Sequence, residues 1–287
     1  MSIFNSTKFW DKIQYCDPRL LYLFFALAIL IFVFVTPPMP VPVPDPVQRL
    51  YNKIESLSPD KLVIVDSELA SGIRAECEGQ YVAVIRHLFQ RNLRFAVMTW
   101  TTEAEGQKFG RDLVMELAKE YNKEYGKDFC IWNPVFPNGG AMMQDFAKDI
   151  IKYIKTDIFG TELTQLPVMK GITDISSISL VYKVSYVWDR GSTPWIGFIQ
   201  SVYGTPYACG TVAISSSGAY PFLDSGQLCG MLAGASGAAA YESLVKSPGI
   251  GTKTVLLQSF ATLYIVVTII LGNLAMIAVK IIKRRTA

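Results

Sequence analysis

The sequence is poor in the residues and motifs on which most known catalytic sites depend. It contains a single histidine, His87, and charged residues make up only 18% of its 287 positions. No C-x-x-C or H-x-x-x-H spacing is present, which removes the common zinc sites. The G-x-G-x-x-G, Walker and G-x-S-x-G patterns are also absent, so neither nucleotide binding nor an α/β-hydrolase site is indicated. We expect no cofactor.

Hydrophobic residues, in contrast, are in excess, at 51% of the chain with a mean hydropathy of +0.28. Two uncharged runs, 20–35 and 254–279, hold most of this excess. A bilayer core takes about 20 apolar residues, so we predict transmembrane helices at 20–36 and 254–279. No small-residue cleavage site follows the first run, which favours an uncleaved anchor over a signal peptide. The Gly-, Ala- and Ser-rich stretch 226–245 is too weakly apolar for a third span.

The charges that flank the two runs predict the topology. Basic residues precede the first run and follow the second: Lys8, Lys12, Arg19, Lys280, Lys283, Arg284 and Arg285. The positive-inside rule therefore places both termini in the cytoplasm and residues 37–253 outside it, at a cell membrane. That outer segment carries a net charge of −2, although the whole chain carries +3. The basic excess is a topology signal, and we expect no nucleic-acid partner.

These features divide the chain into seven segments. They are a cytoplasmic flank (1–19), a first transmembrane helix (20–36), a Pro-rich spacer with a short helix (37–60), an extracytoplasmic α/β domain (61–246), a linker (247–253), a second transmembrane helix (254–279) and a basic cytoplasmic tail (280–287). Six of the ten residues at 37–46 are proline, which favours an extended polyproline II spacer.

Within the outer segment, apolar runs alternate with amphipathic stretches. The runs predict strands at 62–65, 95–98, 129–132, 179–187 and 207–214, and the stretches predict helices at 47–57, 74–90, 107–125, 142–154, 194–203 and 227–245. Continuous apolar strands, each followed by a helix, indicate a parallel sheet covered on both faces. We therefore predict an α/β fold, a doubly wound, mostly parallel sheet of about five strands of Rossmann-like type. The long irregular stretch 157–177 is a functional candidate.

Ligands of doubly wound sheets bind beyond the carboxyl ends of the strands. The candidate ligand-binding residues at those ends are Ser67, Glu68, Ser71, Thr101, Asn133 and Ser216. The loop 67–72 leads into a helix N-terminus that offers N–H groups to an anion, but we favour Ser71 as a simple cap of that helix. The acids around this loop are Asp66, Glu68, Glu76 and Glu78. They could form an acid/base or cation site, but we favour acids that complement the helix dipole.

Small and aromatic residues mark a second candidate region. Gly230, Gly234 and Gly237 would form small-x-x-x-small ridges on the predicted helix 227–245. Such ridges permit close packing, here on the sheet or against a partner subunit. Trp195 and Tyr207 belong to a group of seven aromatics that are as compatible with a core as with an interface: Trp188, Trp195, Phe198, Tyr203, Tyr207, Tyr220 and Phe222.

The remaining reactive side chains give weaker signals. Four cysteines lie in the outer segment, namely Cys77, Cys130, Cys209 and Cys229, and their spacing selects no disulfide pairing. Those at 130 and 209 fall in predicted strands, where we expect buried free thiols. We expect His87 to be half-buried on its helix. A Ser–Lys dyad of Ser216 with Lys170 or Lys183 stays open, although turn serines are far commoner.

Several stretches resemble a family of uncharacterised bacterial membrane proteins. They are 86–89 (RHLF), 166–171 (LPVMKG), 225–230 (SGQLCG), 237–242 (GAAAYE) and 249–252 (GIGT). The resemblance extends over most of the chain, including both apolar runs. It implies two transmembrane helices that flank an extracytoplasmic Rossmann-like domain, and it carries no activity.

Three functions are compatible with these observations. The first is a non-enzymatic structural or accessory subunit of a membrane assembly, as a homo-oligomer or with other membrane subunits, which presents the α/β domain for protein–protein interaction. The second is a tethered domain that senses or binds a small ligand at the strand ends. The third is a Ser–Lys hydrolase. No catalytic or metal-ligating residue is predicted.

Overall fold

The structure, a computed structural model, describes residues 7–34, 40–100, 104–133, 140–186 and 188–286. The chain divides into two compact units. One unit comprises residues 41–252, and the other combines residues 1–40 with 253–287.

Helices and strands alternate through the first of these units, as the sequence predicts. The helices of the described residues are α1 (Thr7–Gln14), α2 (Pro18–Phe34), α3 (Asp45–Glu55), α4 (Arg74–Gln90), α5 (Ala104–Glu120), α6 (Gly140–Lys148), α7 (Ile150–Ile154), α8 (Trp188–Trp195), α9 (Ser201–Tyr203), α10 (Tyr220–Asp224), α11 (Gly234–Leu244) and α12 (Ile250–Thr286). The strands are β1 (Leu62–Ser67), β2 (Phe95–Met98), β3 (Phe129–Ile131), β4 (Ile178–Ser185), β5 (Tyr207–Thr211) and β6 (Gly230–Ala233). A π-helix at Ile196–Gln200 joins α8 to α9.

The six strands form one parallel sheet in the order β3-β2-β1-β4-β5-β6. The prediction of a parallel α/β sheet is therefore confirmed. Nearly every strand residue is buried, because helices cover the sheet on both sides. The strand order is that of doubly wound dinucleotide-binding sheets, in which the order reverses between β1 and β4.

Alternate residues of each strand belong to two separate cores. Val63 and Val65 of β1 point to a core formed with α3, α4, α5 and α11, which we call the α4 face. Leu62 and Ile64 point to a core formed with α6, α7, α8 and α10, which we call the α6 face. The irregular stretch 157–177 contributes buried side chains to the α6 face, so it is a packed structural element rather than an open loop.

The sheet has six strands rather than the predicted five, and the error lies in the small-residue stretch. Residues 227–245 do not form one helix, because Gly230–Ala233 pairs with β5 as strand β6 and α11 begins at Gly234. Gly234 has a φ of +58°, which L side chains rarely adopt, and this turn separates the strand from the helix. Strand and helix could not be distinguished here because glycine and alanine carry no side-chain periodicity.

The three glycines of this stretch pack inside the domain. A Cβ at Gly230 would lie 2.6 Å from the backbone nitrogen of Leu50, so its absence lets α3 approach β6. A Cβ at Gly237 would lie 3.1 Å from the backbone of Leu232, so α11 lies close on its own strand. Packing on the sheet therefore accounts for these residues, and the predicted small-x-x-x-small ridge of one helix does not exist.

Among the described residues, one helix is long and apolar enough to cross a membrane, at Ile250–Arg284. The pair α1 and α2 would provide a second span only if both helices, bent by 68° at their junction, are taken together. Part of the predicted first span, 35–36, lies outside the described residues. The hydroxyl of Tyr264 donates to the carbonyl of Leu21 at 2.7 Å, and the ring of Phe260 lies 4.7 Å from that of Phe32. These contacts pair α2 with α12 in antiparallel directions.

Replacement of Gly230 by alanine tests the close packing of α3 on β6. The new methyl group would meet backbone atoms of Leu50 that cannot rotate away. We expect Gly230→Ala to lower the free energy of unfolding by about 1–3 kcal/mol, the usual cost of overpacking. Gly197→Ala is the matched control, since nothing lies within 4 Å of its Cβ position. Equal melting temperatures for the two variants would contradict the packing described.

Candidate functional site

A buried ion pair lies where the strand order reverses. Asp66 and Lys183 are register partners on β1 and β4, so their side chains point to the same side of the sheet, the α6 face. Nζ of Lys183 donates to Oδ2 of Asp66 at 2.8 Å, and both residues are almost completely buried. This is the position at which doubly wound sheets bind ligands.

Asp66 also binds two groups from other elements. Its Oδ1 accepts a hydrogen bond from the backbone N–H of Trp100, which follows β2. Its Oδ2 also accepts one from Nε1 of Trp195, at the end of α8. A single carboxylate thus holds β4, the end of β2 and α8 together. We call Asp66, Glu68, Lys183 and Trp195 the switch-point cluster.

Glu68 extends the cluster towards the surface. Its Oε2 lies 3.3 Å from Nζ of Lys183, an ion-pair distance, but it has no hydrogen-bond partner among the described residues. The side chain is 13% exposed, against 1% for Lys183. Burial by itself lowers the pKa of Lys183, but the carboxylates of Asp66 and Glu68 outweigh burial and raise that pKa above its usual value. The ammonium group therefore stays charged at neutral pH.

Aromatic rings enclose the cluster on the α6 face. The rings of Trp100 and Trp195 lie 5.7 Å apart, and Phe146 packs edge-on against both. Tyr207 is also buried here, and its hydroxyl donates to Oγ of Ser192 at 2.8 Å. This apolar wall excludes water and so strengthens the attraction between the charges of the cluster.

Of the predicted ligand-binding residues, Glu68 alone is part of the cluster. Ser67 points to the opposite face, where its buried Oγ lies against Gly110. Asn133 donates from Nδ2 to Thr156 and Asp157, which ties the chain after β3 to a later segment. Ser216 donates to Ala213 within its own turn. Thr101 lies outside the described residues.

The predicted anion site in the loop after β1 is filled by the chain itself. The N–H of Ser71 donates to the carboxylate of Glu105 at 3.1 Å. Ser71 does not cap α4 either, because it lies in a short 3-10 turn and the helix begins at Arg74 without a side-chain cap. The acids near this loop are mostly paired: Glu76 accepts from the N–H of Ala213, and Glu78 binds Arg74. The interpretation as simple helix-dipole acids is therefore wrong for Asp66 and Glu68.

The predicted interface aromatics divide between core and surface. Trp195 and Tyr207 are each 1% exposed, so within this chain they are core residues and present no surface to a partner. Trp188 is buried as well, whereas Tyr203 and Tyr220 remain exposed. The sequence could not separate these cases because the whole segment is rich in aromatics.

The thiols and metal-binding groups of the described residues offer little chemistry. All five cysteines are free, and those at 130 and 209 are buried, as predicted. Burial raises the pKa of Cys77 to about 12 and that of Cys229 to about 11, so neither thiol is ionised at neutral pH. No group of three or more His, Cys, Asp or Glu residues in the described ranges is arranged to hold a metal ion.

Two buried polar side chains on the α4 face have surroundings that the sequence analysis does not predict. His87 is buried rather than half-buried and bonds to Glu55 and Tyr241. Glu242 is also buried, and its carboxylate accepts hydrogen bonds from the backbone N–H groups of Gly249, Gly251 and Thr252 at 2.8–2.9 Å. It thereby caps the N-terminus of α12. A glutamate within an alanine-rich helix was the available signal for this cap.

The fold and the cluster define a parallel α/β domain with a buried ion pair at the point of strand reversal, followed by a long apolar helix. Comparison with models of protein families, with curated proteins and with solved structures finds no match to this chain. The resemblance to uncharacterised bacterial membrane proteins therefore stays a prediction.

Removal of the buried ammonium group tests the cluster. Lys183→Met would leave Asp66 charged, buried and without its ion-pair partner, and we expect the free energy of unfolding to fall by about 3–5 kcal/mol. The double variant Lys183→Met/Asp66→Asn should recover part of this loss, because the remaining side chain at 66 is neutral.

Chemical denaturation of the full chain in mild detergent measures both effects. Lys127→Met is the control, because its pair with Glu124 is largely exposed and should contribute little. A loss in Lys183→Met no larger than in this control would contradict the buried pair.

Proposed function

We propose that this protein is a membrane-anchored, non-enzymatic domain of Rossmann-like type that binds a small ligand at the switch-point cluster. The observation that carries the proposal is Oε2 of Glu68, a buried oxygen at the place where this sheet topology binds ligands. Among the described residues its ion pair with Lys183, at the long distance of 3.3 Å, is its one polar contact. A ligand with an ammonium, amide or hydroxyl donor would satisfy that oxygen.

Energetics favour a ligand-related role for the cluster over a purely stabilising one. A buried ion pair is seldom more stabilising than apolar side chains of the same volume, because both charges lose their hydration. Buried ionisable groups with shifted pKa values are, however, common at ligand sites. The pair also positions the chain after β2 and the end of α8, which border the same edge of the sheet.

The chemistry of the described residues supports binding rather than catalysis. Lys183 remains charged, so it is not a general base for Ser216, as the Ser–Lys hydrolase hypothesis requires. His87 lies thirteen residues beyond the first residue of α4, about 20 Å along the helix from the loop after β1. A hydrolase that uses Ser216 as nucleophile would therefore have neither Lys183 nor His87 as its general base.

Membrane attachment is supported by the apolar helix at Ile250–Arg284. We extend the proposal to two spans, with both termini cytoplasmic and the domain outside. The antiparallel contacts of α2 with α12 and the basic residues at both ends of the chain support this topology. The two attachments would then restrain the domain at both of its ends.

The binding proposal is tested by ligand-induced stabilisation of the full chain in mild detergent. We expect the melting temperature to rise with small amines, amino acids or polyols, and to rise less with carboxylates, which carry no donor for Glu68. Glu68→Gln should abolish the rise, because its amide replaces one acceptor oxygen and removes the charge. Glu116→Gln, on the exposed side of α5, is the control and should behave as wild type. The absence of stabilisation by every compound class would contradict the proposal.

A structural subunit is the second candidate, supported by apolar side chains that stay exposed on the domain: Val202, Tyr203, Ile214 and Tyr220. Ile214 is 90% exposed, which is unusual for a side chain of its size. We expect cross-linking in mild detergent to give oligomers that Ile214→Ser weakens, since burial of an isoleucine contributes about 1.5–3 kcal/mol. A strict monomer would exclude this function.

A further inference from the structure

The only histidine of the chain lies at a junction of three helices on the α4 face. His87 belongs to α4 and is 1% exposed. Its Nε2 lies 2.8 Å from Oε1 of Glu55 on α3, and its Nδ1 lies 2.7 Å from the hydroxyl of Tyr241 on α11. The imidazole stacks on the ring of Tyr51, also on α3, at 4.8 Å. Both nitrogens and one ring face are thus engaged.

The partners determine the proton distribution of the neutral ring. An ionised carboxylate can only accept, so Nε2 of His87 carries the proton that binds Glu55. Nδ1 is then an acceptor for the hydroxyl of Tyr241. In this state every polar atom of the junction is satisfied.

Protonation of the ring removes that balance. With a proton on both nitrogens, Nδ1 becomes a donor and the hydroxyl of Tyr241 must turn its hydrogen away. Tyr241 is fully buried, and His87 is the hydrogen-bond partner of its hydroxyl within the described chain. A buried donor without an acceptor is destabilising, because its lost hydrogen bond to water is not replaced. The protonated junction is therefore less stable than the neutral one.

The neighbouring charges act in opposite directions. On α3, Glu55 attracts the imidazolium and Tyr51 is neutral, while Arg91, directly after the end of α4, repels it. On α11, Tyr241 contacts the ring, whereas the carboxylate of Glu242 binds the N–H groups of Gly249, Gly251 and Thr252 instead. Burial is the largest influence and lowers the pKa of His87 below its usual value of 6.5, although the bond to Glu55 opposes this. The neutral ring is therefore the resident form at neutral pH.

We infer that His87 is a proton-operated latch, which holds α3 against α4 and α11 when neutral and releases it when protonated. α3 is the segment by which the chain enters the domain after the Pro-rich spacer. Release would loosen α3 from α4 and α11, while its packing on β6 through Leu50 would be the contact that remains. The latch goes beyond ligand binding at the switch-point cluster and does not depend on it.

The sign of the pH effect follows from the lowered pKa. Between pH 6.5 and the folded-state pKa, the unfolded or released chain binds a proton that the latched chain does not. Stability of the latched state is therefore complete above pH 6.5 and falls as the pH decreases through this interval. Histidine is the side chain whose ordinary titration lies between pH 5 and 8, and this chain has one.

Two measurements on the full chain in detergent test the latch. NMR of the single imidazole gives its titration midpoint, which we expect below 6.5. Amide hydrogen exchange of residues 45–55, which form α3, measures the release of this helix. It is measured at each pH in the wild type and in His87→Gln. We expect protection of this segment in the wild type to fall through the same midpoint, and the variant to show no such step. Exchange at 45–55 that does not follow the midpoint would overturn the inference.

Two exposed or half-exposed charges provide a sharper test that does not require His87→Gln to fold. Arg91→Gln removes a repelling charge and should raise the imidazole midpoint, whereas Glu55→Gln removes the attracting carboxylate and should lower it. Arg49→Gln on α3 is the control, since its side chain pairs with Asp45 instead. The latch is supported if the imidazole midpoint shifts in opposite directions in Arg91→Gln and Glu55→Gln. The pH at which α3 loses protection from exchange must shift with the midpoint in each variant. Shifts in the same direction, or none, exclude it.

Discussion

The burial of α4 on all sides is the constraint on which the rest of the domain depends. Twelve of its seventeen residues are buried, among them Gln80, Tyr81 and His87, whose polar groups must find partners away from water. Gln80 donates to backbone carbonyls of Thr211 and Gly234, and the hydroxyl of Tyr81 donates to the carbonyl of Gly110. Each bond fixes a different neighbour, namely β5, the start of α11 and α5. The helix therefore determines where the surrounding elements lie.

Close approach of backbones is the second consequence of this central helix. Gly79 faces Gly251, whose Cβ position would lie 2.6 Å from Cβ of Ala238, so three elements meet without intervening side chains. The stretch after residue 226 is unusually rich in small residues. Close packing within this one chain explains why they are small. On the opposite face the sheet is stabilised differently, by large aromatic rings around one ion pair.

The sequence predicts the parallel sheet well because strands β1 to β5 are mostly apolar runs that alternate with amphipathic helices, a pattern typical of a buried parallel sheet. It fails at β6, where Gly230 and Ala233 carry no pattern that separates a strand from a helix. The pairing of Asp66 with Lys183 could not be predicted, since the two residues are 117 positions apart and meet only through the strand register. A lysine inside the apolar strand β4 was nevertheless a signal, because an unpaired ammonium group is not tolerated there.

The cap of Glu242 places the boundary of the globular unit inside a helix rather than in the loop before it. The compact unit ends at Thr252, after the first turn of α12, and both the N–H and the hydroxyl of that threonine bind the buried carboxylate. A soluble fragment cut at Ser247, where the sequence suggests a linker, would retain the carboxylate and lose all its donors. The excised domain would then carry a negative charge beside α4 that has lost its hydrogen-bond donors. Preparation of the isolated domain therefore requires the first turn of the apolar helix.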